Sequence, residues 1–520
     1  MPSIVLATLN TRYAHASLGL RYLRANLGAL RERSAIVEFV VDRRPEEIVE
    51  RLLAALDGSA PCIVGFGVYI WNVEATTRVV ALLKTVAPEV VVVVGGPEVS
   101  HEVDAQRVCT LADYVVTGWG DVTFAKLAQA ILAGPRPLTK VHAGEQPPLD
   151  AIALPYGEYS DEDLRHRYVY VEASRGCPFK CEFCLSALDK TAWPFPLEPL
   201  LAALARLYER GARHFKFVDR TFNLKADTGR AILEFLLQRI EANPHDPPFA
   251  HFELIPDHLP ERLREPIARF PAGTLQFEIG IQTFDEAVQK RISRRQDNAL
   301  AESNLRWLRE HTNAHLHVDL IAGLPGEDLA TFAAGFDRLV RLHPHEIQVG
   351  ILKRLRGAPI ARHTEAFGLR FNPNPPYNVV ATDRIDFATM QRVARFARYW
   401  DLVANSGRFA RTLPLLLAPD LPHASPFARF LALSDWLFAS TGKTHAIANE
   451  RLYELVHDFL VGRLDVPAAL AASVLAEDYF ASGARGRPGF VEPAAMADAR
   501  PRRSSPRAAP IRQARHLRGV

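Results

Sequence analysis

Two series of short apolar, strand-like runs alternate with longer amphipathic stretches along this chain, and that alternation restricts it to an α/β architecture of parallel sheets covered by helices. In the first series the runs Ser3 to Leu9, Ala35 to Val40, Pro61 to Val68, Glu89 to Val94 and Asp113 to Thr117 are separated by helical patterns near 18 to 32, 45 to 56, 72 to 86 and 121 to 133. In the second, strands read at 168 to 174, 213 to 219, 250 to 255, 274 to 281, 315 to 322 and 345 to 352. The first series predicts a doubly wound sheet with helices on both faces, and the second an incomplete (β/α)6 barrel. Ligands of both architectures sit outside the carboxyl ends of the strands.

The 520 residues therefore divide into a doubly wound domain over 1–140, a proline-bearing linker over 141–167, a partial barrel over 168–355, a helical domain with leucine-rich faces over 356–484 and a tail over 485–520. The tail carries nine arginines against Glu492 and Asp498. It accounts for more than the whole net charge of +3 and leaves the rest of the chain slightly acidic. Rich in Pro, Ala and Arg and without periodicity, it reads as disordered. It could touch RNA or an anionic surface. Without aromatic residues interleaved for stacking on bases, a solvated extension is the simpler reading. No apolar stretch reaches membrane-spanning length and nothing resembles a signal peptide, so the chain is expected in the cytoplasm.

Three of the five cysteines, Cys177, Cys181 and Cys184, lie within Ser-Arg-Gly-Cys-Pro-Phe-Lys-Cys-Glu-Phe-Cys, immediately after the first strand of the second series. Three thiolates on one loop can converge on a metal centre. A structural zinc needs a fourth ligand, and His166 and His214 stand at no recognisable ligand spacing. An ordinary four-iron cluster also takes four cysteines. The remaining two, Cys62 and Cys109, sit far upstream in apolar segments and read as small buried core residues. The reading is a four-iron four-sulfur (4Fe-4S) cluster with one iron left open.

The C-x3-C-x2-C spacing, with the aromatic Phe183 before the last cysteine, resembles the signature of the radical S-adenosylmethionine (SAM) superfamily. That resemblance implies that the open iron chelates SAM and that a reductant such as flavodoxin or ferredoxin supplies an electron. Cleavage then yields a 5'-deoxyadenosyl radical that abstracts hydrogen. The first domain resembles the Rossmann-like cobalamin-binding domain that precedes many such barrels, through Val94-Gly95-Gly96-Pro97-Glu98-Val99-Ser100 and Gly118-Trp119-Gly120-Asp121-Val122-Thr123-Phe124. The resemblance implies cobalamin near Thr8, Asn10, His15, Gly95, Gly96, Gly118 and Gly120. The cobalt-ligating D-x-H-x-x-G of the methionine synthase type survives only as Tyr13-Ala14-His15, with no Asp and with Gly19 one place too far on. His15 is thus either a cobalt ligand or a polar loop residue near the corrin.

Within the barrel, Asp219, Thr221 and Asn223 occupy the place where the superfamily contacts the methionine amino group, although the usual Gly-Gly-Glu is missing. Glu278 and Gln282 resemble a fourth-strand pattern that approaches the ribose or carboxylate, and Asp319 opens a fifth-strand motif running to Glu327. Glu278 and Asp319 could instead form structural ion pairs with Lys216, Arg220 or Lys353. Lys353 and Tyr377 could face substrate, but packing and surface roles suit them better. The helical region and the early Thr8 to Leu18 run resemble a subgroup of cobalamin-type radical proteins with an uncharacterised C-terminal domain. The expected activity is methylation or rearrangement of an unactivated carbon of a small-molecule or other substrate that no motif fixes. No catalytic residue beyond the cofactor contacts is assigned. The alternatives are a cobalamin or redox sensor without turnover, and tRNA methylthiolation, for which two scattered cysteines cannot hold the second cluster.

Overall fold

The computed structural model describes residues 2–58, 61–418, 423–484, 486–491 and 511–516. It comprises two compact units, one of Met1–Arg220, Lys353–Ala361 and Asn372–Asn378, the other of Thr221–Leu352, Arg362–Phe371 and Val379–Val520.

In the first unit, β1 (Ile4–Asn10), β2 (Ser34–Val40), β3 (Ile63–Gly67), β4 (Val91–Gly95), β5 (Tyr114–Thr117) and β6 (Val141–Ala143) form a six-stranded sheet in the order β2-β1-β3-β4-β5-β6. The pairs are parallel, with Ile4 opposite both Ser34 and Ile63. All seven residues of β1 are buried, as a central strand covered on both faces requires. Its side chains alternate between two cores. Val5, Ala7 and Leu9 join one with Val64 and Val92, whereas Ile4 and Leu6 join the other with Val93 and Phe124.

The helices Leu18–Ala25, Pro45–Ala55, Val73–Val86 and Asp121–Ala133 close the crossovers. Ser17 caps the first of them by accepting from the Leu20 amide. The single helix expected over 18–32 is two pieces: it stops at Ala25, and a 3-10 turn follows at Gly28–Arg33, where Gly28 takes a φ of +57°. The stretch read as a linker contributes β6 to the sheet and a short helix, Asp161–His166, closed by a reciprocal capping box of Ser160 and Asp163.

The first unit continues through β7 (Val169–Val171), β8 (Ser174–Gly176), β9 (Ala192–Pro194) and β10 (His214–Phe217). β7 pairs in parallel with β10, and β8 pairs antiparallel with β9. The strand expected over 168–174 therefore ends early, because Ser174 to Gly176 leave it for a ribbon of their own.

In the second unit, β11 (Phe249–Leu254), β12 (Leu275–Gln282), β13 (His315–Ala322) and β14 (Glu346–Ile351) are parallel, in the order β14-β13-β12-β11. These four, and β7 and β10 within the first unit, are the strands that the sequence assigns to the incomplete barrel. β12 alternates buried and half-buried over all eight residues, so one face packs under helices while Gln276, Glu278, Gly280 and Gln282 turn to the other. A two-stranded ribbon, β15 (Arg370–Phe371) with β16 (Val379–Ala381), precedes the helical region.

That region comprises Phe387–Val403, Leu413–Leu417, Pro426–Thr441, Asn449–Leu464 and Ala468–Ala481. It packs on the helix Leu329–Val340 through a cluster of Phe336, Phe396, Trp400, Phe427 and Phe430, with ring centroids 4.7 to 6.0 Å apart. Of the tail read as disordered, residues 485, 492–510 and 517–520 lie outside the described residues. Ile511–His516 corrects that reading: it is an α-helix, too short to persist alone and held by side-chain bonds of Gln513 and His516. No helix among the described residues is long and apolar enough to cross a membrane.

Candidate active site

The cysteine loop runs from Gly176 to Thr191 between the paired strands β8 and β9, so its two ends are held side by side. Gly176 sits at φ +93°, and a Cβ there would lie 2.5 Å from the Thr191 carbonyl oxygen and 2.9 Å from the Trp193 ring. Only glycine fits. The base of the loop is pinned by Asp219, whose carboxylate accepts from the Ala173 amide at 2.9 Å and from the Ser174 hydroxyl at 2.6 Å. Inside the loop the Cys184 amide donates to the Cys181 carbonyl, and the Glu182 carbonyl accepts from Ile360. Phe183 is half-buried between them.

Cys177 is buried, and burial pushes its thiol up to about 11; neighbouring charge on Cys184 and Cys181 pushes the same way. A thiol held neutral in this way still suits a metal ligand set, because a cationic metal centre reverses the penalty on its ionisation. Cys62 and Cys109 are buried within the sheet core, and burial raises the Cys109 thiol to about 11 as well. They are packing residues.

Over the carboxyl half of the first sheet lies a cavity of about 260 Å³. Its floor is Gly65 and Gly67 of β3, Gly95 of β4 and Gly96 after it, and Val116 of β5 and Gly118 after it; Tyr22, Tyr69 and Trp119 add aromatic walls. The glycines make the space. A Cβ on Gly65 would come within 3.1 Å of Leu6 and Phe124, and one on Gly96, at φ +116°, within 2.5 Å of the Val68 carbonyl oxygen. Such an apolar slot with a backbone floor suits a flat ring system.

Of the residues expected near a cofactor, Gly95, Gly96, Gly118 and Gly120 line the cavity, whereas Thr8, Asn10 and His15 do not. Thr8 is fully buried, donating to the Gly67 carbonyl and accepting from Asn72. Asn10 bonds the His15 carbonyl and Glu38. The His15 ring is half-buried, which lowers its pKa, and its Nδ1 lies 2.7 Å from the Tyr170 hydroxyl. That bond fixes the ring with Nε2 at its far side, the orientation a ligating imidazole takes.

The barrel candidates separate in the same way. Asp219 is spent on the loop base, where burial raises its carboxyl to about 7 against three hydrogen bonds. Asn223 is fully buried, and its amide group bonds the backbone of Ile255 and His258. Thr221 keeps a buried hydroxyl without a protein partner. Glu278 lies 3.1 Å from His251, and Asp319 lies 3.4 Å from His317, so histidines stand where Lys216, Arg220 or Lys353 were expected. Burial would lower His317, but Asp319, Glu346 and Glu278 outweigh it and raise the ring to about 9. Gln282 ends β12 at φ +70°, beside an irregularity in the pairing with β13, and its buried carbonyl oxygen lacks a protein partner. Tyr377 packs: its hydroxyl donates to Glu98 and accepts from Arg356.

Three family models match consecutive stretches: a B12 binding domain over residues 4–128, the radical SAM superfamily over 171–339 and a protein of unknown function (DUF4080) over 365–502. The chain carries a B12-binding domain followed by a radical SAM domain. Among curated relatives it is 29% identical over 236 residues to an uncharacterized methyltransferase of Pyrococcus horikoshii, which covers 40% of this chain and 49% of that protein. It is 26% identical over 455 residues to the cobalamin-dependent radical SAM methyltransferase TokK of Streptomyces tokunonensis, covering 78% and 62%. The chain thus spans about half to three-fifths of the length of these relatives. Among solved structures, the cobalamin-dependent SAM radical enzyme OxsB, with aqua-cobalamin and SAM bound, matches with a TM-score of 0.58 at 14% identity over 92% of this chain and 79% of that one. TsrM from Kitasatospora setae, with cobalamin and a [4Fe-4S] cluster bound, matches with a TM-score of 0.56 at 18% identity over 72% and 82%. These likenesses show a common fold.

Within these domain matches, the residue that sequence reading missed is Arg175. It lines the cavity and lies two residues before Cys177. Its guanidinium pairs with Asp121 at 2.9 Å and Glu172 at 2.6 Å, and stacks on Trp119 and Tyr22 at 4.7 and 4.8 Å. Arg21 was missed for the same reason. Almost fully buried, it bridges Glu38 and Asp163, while Arg167 also reaches Glu38. Such pairs join residues up to 142 positions apart and leave no local pattern. Gly65 did leave one, since Gly65 and Gly67 at i and i+2 must share a face of β3.

Proposed function

We propose that this protein is a cobalamin-dependent radical SAM methyltransferase acting on an unactivated carbon. The observation that supports the reading is that one unit carries both a glycine-floored cavity and a three-thiol loop, with Arg175 lining the first and leading into the second. Two relatives described as methyltransferases, one of them as cobalamin-dependent, support methylation over rearrangement.

Cys177, Cys181 and Cys184 would hold the 4Fe-4S cluster, and Gly65, Gly67, Gly95, Gly96, Gly118 and Gly120 would floor the cobalamin site. Thr221, Glu278, Gln282 and Asp319 are the side chains left to hold SAM. When bound, the three groups supply an electron, a 5'-deoxyadenosyl radical and a transferable methyl group. The chain positions them and keeps water out: β8 and β9 fix the loop ends, and Asp219 holds its base in a buried setting. A small-molecule substrate, a flavodoxin- or ferredoxin-type reductant and a cytoplasmic setting complete the reading.

Anaerobic protein reconstituted with iron, sulfide and cobalamin is expected to hold about four irons and one cobalt and, with SAM and reductant, to release 5'-deoxyadenosine. Cys181→Ala is expected to abolish that release. A variant that still makes 5'-deoxyadenosine at the parental rate overturns the reading.

A further inference from the structure

At the opposite ends of the barrel strands the second unit gathers a separate set of ligands. His315 is the first residue of β13 and Glu346 the first of β14; both are buried, with His315 Nε2 3.0 Å from Glu346 Oε1. His516, on the terminal helix, brings its Nε2 to 3.9 Å from the same oxygen, and the three ligand atoms lie within 4.8 Å of one another. β13 separates this cluster from the carboxyl end of its own strand by roughly 23 Å, at about 3.3 Å per residue.

We propose that His315, Glu346 and His516 bind a divalent cation of the zinc class, which clasps the C-terminal segment to the underside of the strands. Two imidazoles and one carboxylate form a borderline donor set that favours zinc over magnesium or calcium. Ligand atoms each 2.0–2.1 Å from tetrahedral zinc stand roughly 3.3 Å apart, so the present separations need to change by less than about 1.5 Å.

The surroundings are those of a prepared site. Glu346 Oε2 lies 3.6 Å from His317 Nδ1, which orients the carboxylate, and the His315 ring is stacked on His345 with centroids 4.6 Å apart. His516 Nε2 lies 3.0 Å from the Asn405 carbonyl, an oxygen in reach as a fourth ligand, and the Asn405 side chain is locked to both backbone groups of Ile347. Gly407 independently shows that the terminal helix is seated. At φ +66° it favours glycine, and a Cβ there would press on Arg515 at 3.0 Å and on His516 at 3.3 Å.

The test uses full-length holoprotein with its cluster already loaded, so that the three thiolates cannot capture added metal. After mild chelation, equilibrium dialysis against zinc chloride is expected to give one tightly bound zinc per chain, with affinity reduced at least tenfold in His516→Ala and in Glu346→Gln. Zinc should also slow tryptic cleavage after Arg515 in the parent and not in His516→Ala. Because His516 lies on a terminal helix, its variant tests the site even if Glu346→Gln folds poorly. Absence of stoichiometric zinc, or equal zinc affinity in the parent and His516→Ala, overturns the proposal. It stands independently of the proposed enzymatic activity.

Discussion

Glu327 is 1% exposed, and burial raises its carboxyl to about 8 although the Thr283 hydroxyl donates to it. An acid whose folded pKa exceeds its unfolded value, near 4.5, costs nothing while both states are protonated. The penalty appears as pH climbs past 4.5 and levels off above about 8. Glu327→Gln keeps an acceptor for Thr283 and removes the titration, so it should stabilise the protein at pH 8 by on the order of 1–3 kcal/mol and hardly at all at pH 4.5. Denaturant melts at the two pH values check this, and equal stabilisation at both would contradict it. Asp219 answers a different need. Removing it in Asp219→Ala strands the Ala173 amide and the Ser174 hydroxyl in a buried place, a loss of roughly 1–3 kcal/mol. Because those groups anchor the cysteine loop, iron content after reconstitution should fall along with stability. Unchanged iron with lowered stability would show that the loop does not depend on this anchor.

The floor of the cavity is built by strand ends, and its shape depends on what those residues lack. A Cβ on Gly67 would meet Thr8, Tyr69 and Leu20 at 3.5 to 3.6 Å, ordinary contact, so Gly67→Ala should fold with a stability change within about 0.5 kcal/mol. Gly67→Leu would send a branched chain toward Leu20 and Tyr69, both in the cavity wall. It should weaken cobalamin binding at least tenfold while leaving the iron count unchanged, as read by cobalt and iron analysis of one preparation. The strands bearing this floor were legible from sequence because apolar runs bounded by glycine have a short period and local causes. The three-residue β6 was not, since pairing with β5 makes it a strand and its own residues are mostly exposed. Asp219 and Asn223 were legible by position but not by role: both turn to backbone groups that only the folded chain presents. The helix Ile511–His516 was hidden similarly, because its reasons for folding lie at Asn405 and Gly407.

Each unit carries its own apolar core, the paired clusters about the first sheet in one and the aromatic cluster on Leu329–Val340 in the other, and neither of these contains Cys181 or Cys184. The loop itself is closed by protein bonds: three register pairs of β8 and β9, the Asp219 clamp and the Cys181–Cys184 backbone bond. In a small domain folded around a metal the ion supplies the missing core, and chelation unfolds the chain. Here the core exists without it. Removing iron anaerobically should therefore leave the far-UV circular dichroism unchanged and the cobalt content intact, while 5'-deoxyadenosine formation is lost. The free energy of unfolding should fall only by the linkage term for ligand binding, which grows with the logarithm of ligand excess, about 2.7 kcal/mol at a hundredfold excess over Kd. Wholesale loss of helicity on chelation would mean that the loop organises the first unit instead of resting on it.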